Sequence, residues 1–428
     1  MKKGNFVIGF MLFALFFGAG NLIYPPILGM ESGTSYFAAI SGFVITGVGL
    51  PLLAVTAISF VKNDARELAD RVHPLFGLLF TSVVYLAIGP FFGIPRAATV
   101  GYEMSLEPFQ SGELPLFLFT TIFFILVFLF SLNPSKVVDQ IGKYLTPLLL
   151  LVITALILGG FLLLKTPLGS PNPNYRANPF FNGFVEGYLT MDAIAALAFG
   201  IIVVNAYRER GVHTNKAIVK ETLKSGLITG VGLVAVYGSI GWIGARMASY
   251  GPFENGGDLL SFAADTILGT YGVILLGIIV TLACFTTSVG LVVACGQFFA
   301  KVTMLSYKWV IFIVTMASYI IANQGLNTIL DFSVPVLVFI YPIAIVLILL
   351  TFLNKAFQGS RYVYRFAILF TALVSLYDGL SEFGFSLNRI TPYVEKLPFF
   401  EIGLGWVVPA IIGFLIGLLY RAIKEPNN

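Results

Sequence analysis

Apolar runs of about twenty residues alternate with short polar turns along the whole chain. A run of that length crosses the ~30 Å hydrocarbon core of a bilayer as a helix. The pattern predicts twelve such spans. They are Asn5–Met30, Ser35–Val61, Pro74–Val100, Leu114–Leu132, Ile141–Leu164, Phe184–Tyr207, Gly226–Met247, Tyr271–Ala300, Trp309–Ala322, Phe332–Phe352, Phe366–Leu380 and Gly403–Tyr420. The expected fold class is an all-α integral membrane protein with twelve transmembrane helices. The first span follows a basic start but no convincing A-x-A cleavage site, and it resumes with Leu22 to Met30, so it reads as a retained helix and not as a signal peptide.

Composition supports this reading. The 428 residues are 57% hydrophobic and 11% charged, against roughly 25% charged in a soluble globule, and the mean hydropathy is +0.91. The net charge of +4 sits at chain turns, where it argues topology and gives no support for nucleic-acid binding. With the N-terminus inside, 19 of the 25 Lys and Arg fall on the inner side. The other six are Arg96, Lys165, Arg176, Arg246, Arg389 and Lys396. Both termini are therefore expected in the cytoplasm. Cys284 and Cys295 share one apolar segment, roughly 16 Å apart along a helix, too far to pair.

The first span is interrupted by "ALFFGAGNLIYPP", Ala14 to Pro26. Asn5 to Phe17 makes roughly 20 Å of helix, which ends inside the core. Gly18, Ala19 and Gly20 allow unwound backbone, and Asn21 can cap the next half-helix or offer its amide oxygen to a ligand. Pro25–Pro26 suits the first turn of a helix rather than its interior. Freed carbonyls attract a cation and freed amides a carboxylate. A proline kink without a ligand is the alternative.

The longest polar connection, Lys165 to Asn182, separates five spans from the rest. A second group of five then starts from the opposite face, so structural repeats at about 5–164 and 184–352 would be inverted, with additional helices at about 366–420. The whole chain, 1–428, is one transporter domain on this reading. An inverted repeat requires a break in span six as well. That span, "GYLTMDAIAALAFGIIVVN", carries Thr190 and Asp192, then Ala193, Ala195, Ala196, Ala198, Phe199 and Gly200. An intramembrane Asp needs a partner, and small residues admit a ligand or a close helix. Plain helix packing, with Asp192 hydrated at the outer interface, is the alternative. In span eight, "LACFTTSVG" places a Cys284 carbonyl and the Thr287 and Ser288 hydroxyls on one face. They can ligate a small cation, or bond back to their own helix.

With these residues in place, the chain resembles the branched-chain amino acid uptake carriers, the LIVCS or BrnQ family, over essentially its full length. The resemblance rests on "MLFALFFGAGNLIYPPILG", "GPFFGIPRAATVGYE" and "GYLTMDAIAALAFGIIVVNA". It implies the amino acid–polyamine–organocation superfamily, a LeuT-like 5+5 inverted repeat with discontinuous helices 1 and 6, and a bacterial cytoplasmic (inner) membrane location. It also implies uptake of leucine, isoleucine and valine, commonly with Na⁺. Similarity of Gly18–Asn21 to the LeuT-type break implies that the break amides receive the substrate carboxylate. The Thr287–Ser288 pair implies Na⁺ ligands shared with carbonyls near Ala14 and Phe17. This chain has one residue fewer between Asn21 and Pro25 than that pattern, and the match at span six is gapped, so a second Na⁺ site is not carried over.

The expected function is a Na⁺-coupled symporter of branched-chain L-amino acids, with the lipid bilayer as its surroundings and no cofactor beyond Na⁺ as coupling ion. The expected substrate site is Gly18, Ala19, Gly20, Asn21, Thr190, Ala193 and Phe199; the Na⁺ site is Ala14, Phe17, Cys284, Thr287 and Ser288. A proton-coupled carrier titrating at Asp192 or Glu103 is the nearest rival. A channel would need a charged ring or filter loop. A membrane enzyme is least expected: there is no HExxH or GxSxG motif, and the two histidines, His73 and His213, fall in predicted loops.

Overall fold

The computed structural model describes residues 3–61, 65–132, 137–212 and 214–424. Lys2, Lys62, Lys136 and His213 lie outside the described residues. Among those described, every regular element is helical. Eight helices are long and apolar enough to cross a membrane, or nine if the bent pair Pro179–Thr190 and Asp192–Glu209 counts as one span. Gly4–Phe16 and Tyr307–Ala322 are shorter apolar helices, and Leu150–Leu163 is the apolar end of the longer helix Val137–Leu163. Each predicted segment is helical over most of its length, yet the count differs from twelve. Half-helices are too short to cross alone, and Gly20–Ile58 runs as one helical stretch through two predicted segments.

The chain forms two compact units that interleave in sequence. The first comprises Met1–Val48, Tyr85–Met191 and Ser225–Asp331; the second comprises Gly49–Val84, Asp192–Lys224 and Phe332–Asn428.

In the first unit, helix Gly20–Ser32 lies against helix Asn215–Met247 with its backbone almost in contact. A Cβ on Gly29 would stand 1.8 Å from the Gly241 carbonyl, and one on Gly244 would stand 2.0 Å from that of Pro26. Where lipid removes the usual hydrophobic drive, such small-residue crossings let dispersion and polar contacts hold helices together. Helix Tyr36–Val44 meets Pro179–Glu186 in the same way, with Gly42 against the Phe180 carbonyl and Gly183 against that of Ala39. The Thr46 hydroxyl then donates to the Phe184 carbonyl at 2.6 Å. The polar connection folds back over this end: Asn172 N–H bonds the Glu31 carbonyl at 2.9 Å, and Tyr175 is buried.

Two interruptions were not expected. Pro74–Val100 is predicted unbroken, but it changes from α-helix Pro74–Leu86 to a π turn, Ala87–Phe91, before Gly93–Ser105 begins. Gly89 is non-helical (φ −90°, ψ −118°) and Pro90 lacks an amide proton, so the regular ladder cannot continue. The Cys295 thiol donates to the Tyr85 carbonyl at 3.3 Å beside this kink. The second, Gly269 (φ 69°), lies just before the predicted span Tyr271–Ala300 and divides Gly256–Val302 into that span and a preceding arm that the pattern does not predict. The preceding arm starts at an N-cap, where the Asn255 side chain accepts from the amides of Gly257 (2.8 Å) and Asp258 (3.2 Å).

In the second unit, Leu50–Ile58 packs on Asp192–Glu209, with Gly200 against Ile58. Arg361–Glu382 packs on Val407–Lys424, where Gly413 faces the Phe366 carbonyl. Arg71 donates to the Tyr364 hydroxyl at 3.0 Å and Arg365 to the Val72 carbonyl at 2.9 Å, so two charges expected at inner turns fasten neighbouring helix ends.

Candidate functional site

The first span breaks over three residues. Helix Lys3–Phe16 ends, Phe17 to Ala19 leave the helical pattern, and a second half-helix, Gly20–Ser32, begins. Bonds from Asn21 N to Gly18 O (3.2 Å) and Leu22 N to Ala19 O (3.1 Å) start the new helix. The amides of Ala19 and Gly20 therefore open its first turn, with that of Gly18 just before the cap, where helices have no carbonyls of their own to offer. Phe17 stacks on Phe13 at 5.3 Å and is buried, while Ala14 is half-buried in the last turn of the first half-helix.

Two expectations about this break are corrected. Ala19, not Asn21, is the N-cap, and no side chain caps that end. Asn21 reaches backward: its side-chain amide donates to the Phe16 carbonyl at 2.7 Å and bonds the Tyr237 hydroxyl, so it closes the end of the preceding half-helix. Pro25 and Pro26 also lie inside the second half-helix and not in its first turn. The close crossing with Asn215–Met247 turns their carbonyls toward Gly241 and Gly244, and that packing outweighs the lost backbone bonds.

Span six is broken as the inverted-repeat argument requires. The half-helix Pro179–Glu186 tightens into a 3-10 turn, Gly187–Thr190, then Met191 turns left-handed (φ 67°) before Asp192–Glu209, with a 47° bend. Thr190 is buried, and its hydroxyl donates to the Gly187 carbonyl at 3.0 Å.

Arg96 joins the two breaks. Its Nη1 donates to the Leu189 carbonyl (2.8 Å) and the Tyr24 hydroxyl (3.2 Å), and its Nη2 donates to the Thr190 carbonyl (3.0 Å). The guanidinium also lies over the Tyr24 ring at 5.6 Å. Carbonyls at a helix C-terminus carry partial negative charge, which a cation stabilises. Gly20 makes the approach possible, since a Cβ there would stand 2.8 Å from Nη2 and 2.9 Å from Thr190 O. The charge count placed Arg96 with the outer-side residues, but it is only 3% exposed within helix Gly93–Ser105. Without it, the split is 19 to 5. Two signals in the sequence could have found it: an ionisable residue inside an apolar run, and the Gly89–Pro90 and Gly93–Pro95 punctuation before it.

Thr287, on span eight, faces the first break: its methyl lies 3.7 Å from a Cβ placed on Gly18. Cys284 is fully buried one turn earlier. Ser288 is also fully buried, and its Oγ has no hydrogen-bond partner among the described residues. The neighbouring Thr286 hydroxyl, by contrast, bonds back to the Ala283 carbonyl at 2.8 Å. Ser288, unlike Thr286, thus does not bond back to its own helix. An orphaned buried oxygen on this face fits a hard cation such as Na⁺.

Asp192, Ala193 and Phe199 belong to the second unit and are all buried. Asp192 opens its half-helix, where the N-terminal dipole favours a carboxylate, and it is 4% exposed, not hydrated at an interface. Glu103 stands apart from the breaks, seven residues and about 10 Å beyond Arg96 on the same helix, beside the Asn255 cap. Burial, then the Asp258 and Glu254 charges, push the nearby Glu107 carboxyl above its usual range. The His73 ring accepts from the Leu75 amide at 3.2 Å on an exposed turn, so it serves local structure.

Apolar helices interrupted in the first and sixth predicted segments, with backbone polar groups and a buried charge at the interruptions, have the broken-helix architecture found in membrane transporters. The model of the family described as "Branched-chain amino acid transport protein" matches residues 1–424, and the chain belongs to that family. It is 47% identical over 432 residues to the branched-chain amino acid permease BraB of Bacillus subtilis, covering 100% of this chain and 97% of that one. It is 45% identical over 431 residues to the permease BrnQ of the same organism, at 99% and 98% coverage. These relatives are permeases and not enzymes. Among solved structures, the fold is similar to that of Mhp1, a nucleobase-cation-symport-1 family transporter, in a closed conformation with bromovinylhydantoin bound. The TM-score is 0.65 at 13% identity, covering 99% of this chain and 93% of that one. It is also similar to MhsT in complex with L-phenylalanine, with a TM-score of 0.59 at 17% identity and coverage of 96% and 98%. The LeuT-type fold expected from the sequence is thus shared with these transporters.

Proposed function

We propose that this protein is a secondary active symporter that imports leucine, isoleucine and valine, coupled to Na⁺ by alternating access. The observation that carries the coupling ion is the buried, unpartnered Ser288 Oγ, next to Thr287 at the first break. On this reading Thr287, Ser288 and the Cys284 carbonyl hold Na⁺ with the Ala14 and Phe17 carbonyls. The amides of Gly18 to Gly20 receive the substrate carboxylate, with Asn21 and Thr190 supporting the two breaks. The branched-chain substrates follow from the family and from the names of the permeases it resembles.

Uptake of labelled leucine into proteoliposomes, with Na⁺ removed and the pH gradient collapsed in separate arms, tests the coupling. Loss of uptake without Na⁺ supports the proposal. Loss only on collapsing the pH gradient favours the proton-coupled rival, for which the buried Asp192 at the second break speaks more than the remote Glu103. Ser288→Ala should raise the half-saturating Na⁺ concentration several-fold with little change in leucine affinity at saturating Na⁺. An unchanged Na⁺ dependence in both Ser288→Ala and Thr287→Ala would remove these residues from the site.

The proposal includes twelve spans in a bacterial cytoplasmic membrane with both termini inside: Gly20–Ile58 is divided, its Gly20–Ser32 part joins Lys3–Phe16 as the broken first span, the bent pair is one span, and Val137–Leu163 and Tyr307–Ala322 each count as one. Helices one to five and six to ten are then inverted repeats. A membrane-impermeant thiol reagent added outside should label a cysteine at the exposed position Asn174 and leave one at the exposed position Lys216 untouched. The opposite pattern would reverse the topology.

A further inference from the structure

The Arg96 guanidinium is a buried charge whose contacts are all neutral: two carbonyls, a tyrosine hydroxyl and that tyrosine's ring. Arg96 takes part in neither of the ion pairs Arg66 with Asp70 and Lys224 with Glu221, and its own contacts include no carboxylate. Of its five N–H donors, three are used. The remaining two sit on Nε, which is buried without a partner, and on Nη2, which lies against Gly20. These nitrogens share one edge of the planar group, the edge that binds a carboxylate through two parallel bonds. An uncompensated buried charge is strongly unfavourable, so a position like this favours an anion that arrives from outside the chain.

The same place holds the N-terminus of half-helix Gly20–Ser32, whose first amides point along the positive end of the helix dipole. We infer that Arg96 is the counter-ion of the substrate's α-carboxylate, held between the Nε–Nη2 edge and the amides of Gly18 to Gly20. This deepens the transport reading above and rests on it. Three features then share one cause. Gly20 has no side chain because the guanidinium must reach the helix end. Leu189, Thr190 and Tyr24 hold the guanidinium in place with its other donors. Ligands with an aliphatic side chain but no carboxylate are rejected, because they leave the charge unanswered.

The rival explanation is mechanical, with Arg96 only fastening the end of Gly187–Thr190 to the second half-helix of span one. Competition for labelled-leucine binding to the purified protein separates the two, using unlabelled leucine and leucinamide, which keeps the side chain and amine but lacks the carboxylate. The unaltered protein should prefer leucine at least 100-fold. Arg96→Gln should narrow that ratio at least tenfold, because the lost affinity falls on leucine alone. A fastening role would weaken both ligands together, and an unchanged ratio would overturn the assignment. Arg96→Lys retains the charge without the planar fork, and should narrow the ratio at least threefold. If the glutamine variant does not yield folded protein, the lysine variant decides by the same criterion. Absence of leucine uptake by the unaltered protein in proteoliposomes would remove the transport reading and this assignment with it. Intact uptake with unchanged ratios would remove only the role of Arg96.

Discussion

Gly20→Ala should reduce leucine uptake at least tenfold, while Gly238→Ala leaves it within twofold. The added Cβ at Gly20 would come within 2.8 Å of Arg96 Nη2, 2.9 Å of Thr190 O and 3.1 Å of Thr190 Cα. The arginine tip can swing away, but the Thr190 backbone is the end of a half-helix and cannot move alone. Overpacking of this kind costs about 1–3 kcal/mol, and relief would come by separating the two breaks or breaking the bonds from Arg96 to Leu189 and Thr190. Either route shifts the groups proposed to hold the carboxylate. A Cβ on Gly238 meets nothing within 4 Å, and alanine is the better helix former, so that variant controls for the loss of glycine in a helix. Uptake by proteoliposomes at matched protein content measures both. If Gly20→Ala transports normally, the contact between the breaks plays no part in transport.

How much of this was legible in the sequence depends on what kind of signal each element leaves. The first break was legible because Gly18, Ala19 and Gly20 interrupt an apolar run that has no other reason to stop. The second was reached through symmetry: five spans before the polar connection demanded a matching interruption, and Met191 supplies it with a left-handed residue that no local pattern announces. The third, at Gly89–Pro90, was passed over because the flanking residues keep the run hydrophobic enough for an unbroken span. Arg96 was lost for the same reason. Counted as one charge among 25, it falls with the outer-side residues even though the predicted span Pro74–Val100 contains it, since topology counting weighs charge and ignores depth. The roles of Asn21 and of Pro25–Pro26 went astray because local propensity speaks only of neighbours. Tyr237 lies 216 residues from Asn21, and Gly241 and Gly244 are similarly remote from the prolines. Tertiary packing decided both.

The selectivity of the protein should show in what competes with leucine. The break amides and a guanidinium recognise a carboxylate, which every amino acid carries, so they cannot distinguish leucine from lysine. That task falls to an apolar wall, for which the sequence nominates Phe199 and the Ala193–Ala198 face of span six. Phe199 is 2% exposed and Ala193 1%, on a helix whose next glycine, Gly200, packs on Ile58. One missing methylene against such a wall is worth about 1–3 kcal/mol, so valine should inhibit labelled-leucine uptake at a concentration only moderately above that of isoleucine. A charged side chain would be buried without a partner, at a far larger cost, and excess lysine or glutamate should leave uptake unchanged. Phe199→Ala should loosen the ranking among the aliphatic amino acids more than it changes the response to Na⁺, because the ion is assigned to Thr287 and Ser288. If lysine competes as well as valine, the wall is not apolar where the side chain rests, and the branched-chain assignment is wrong for this member of the family.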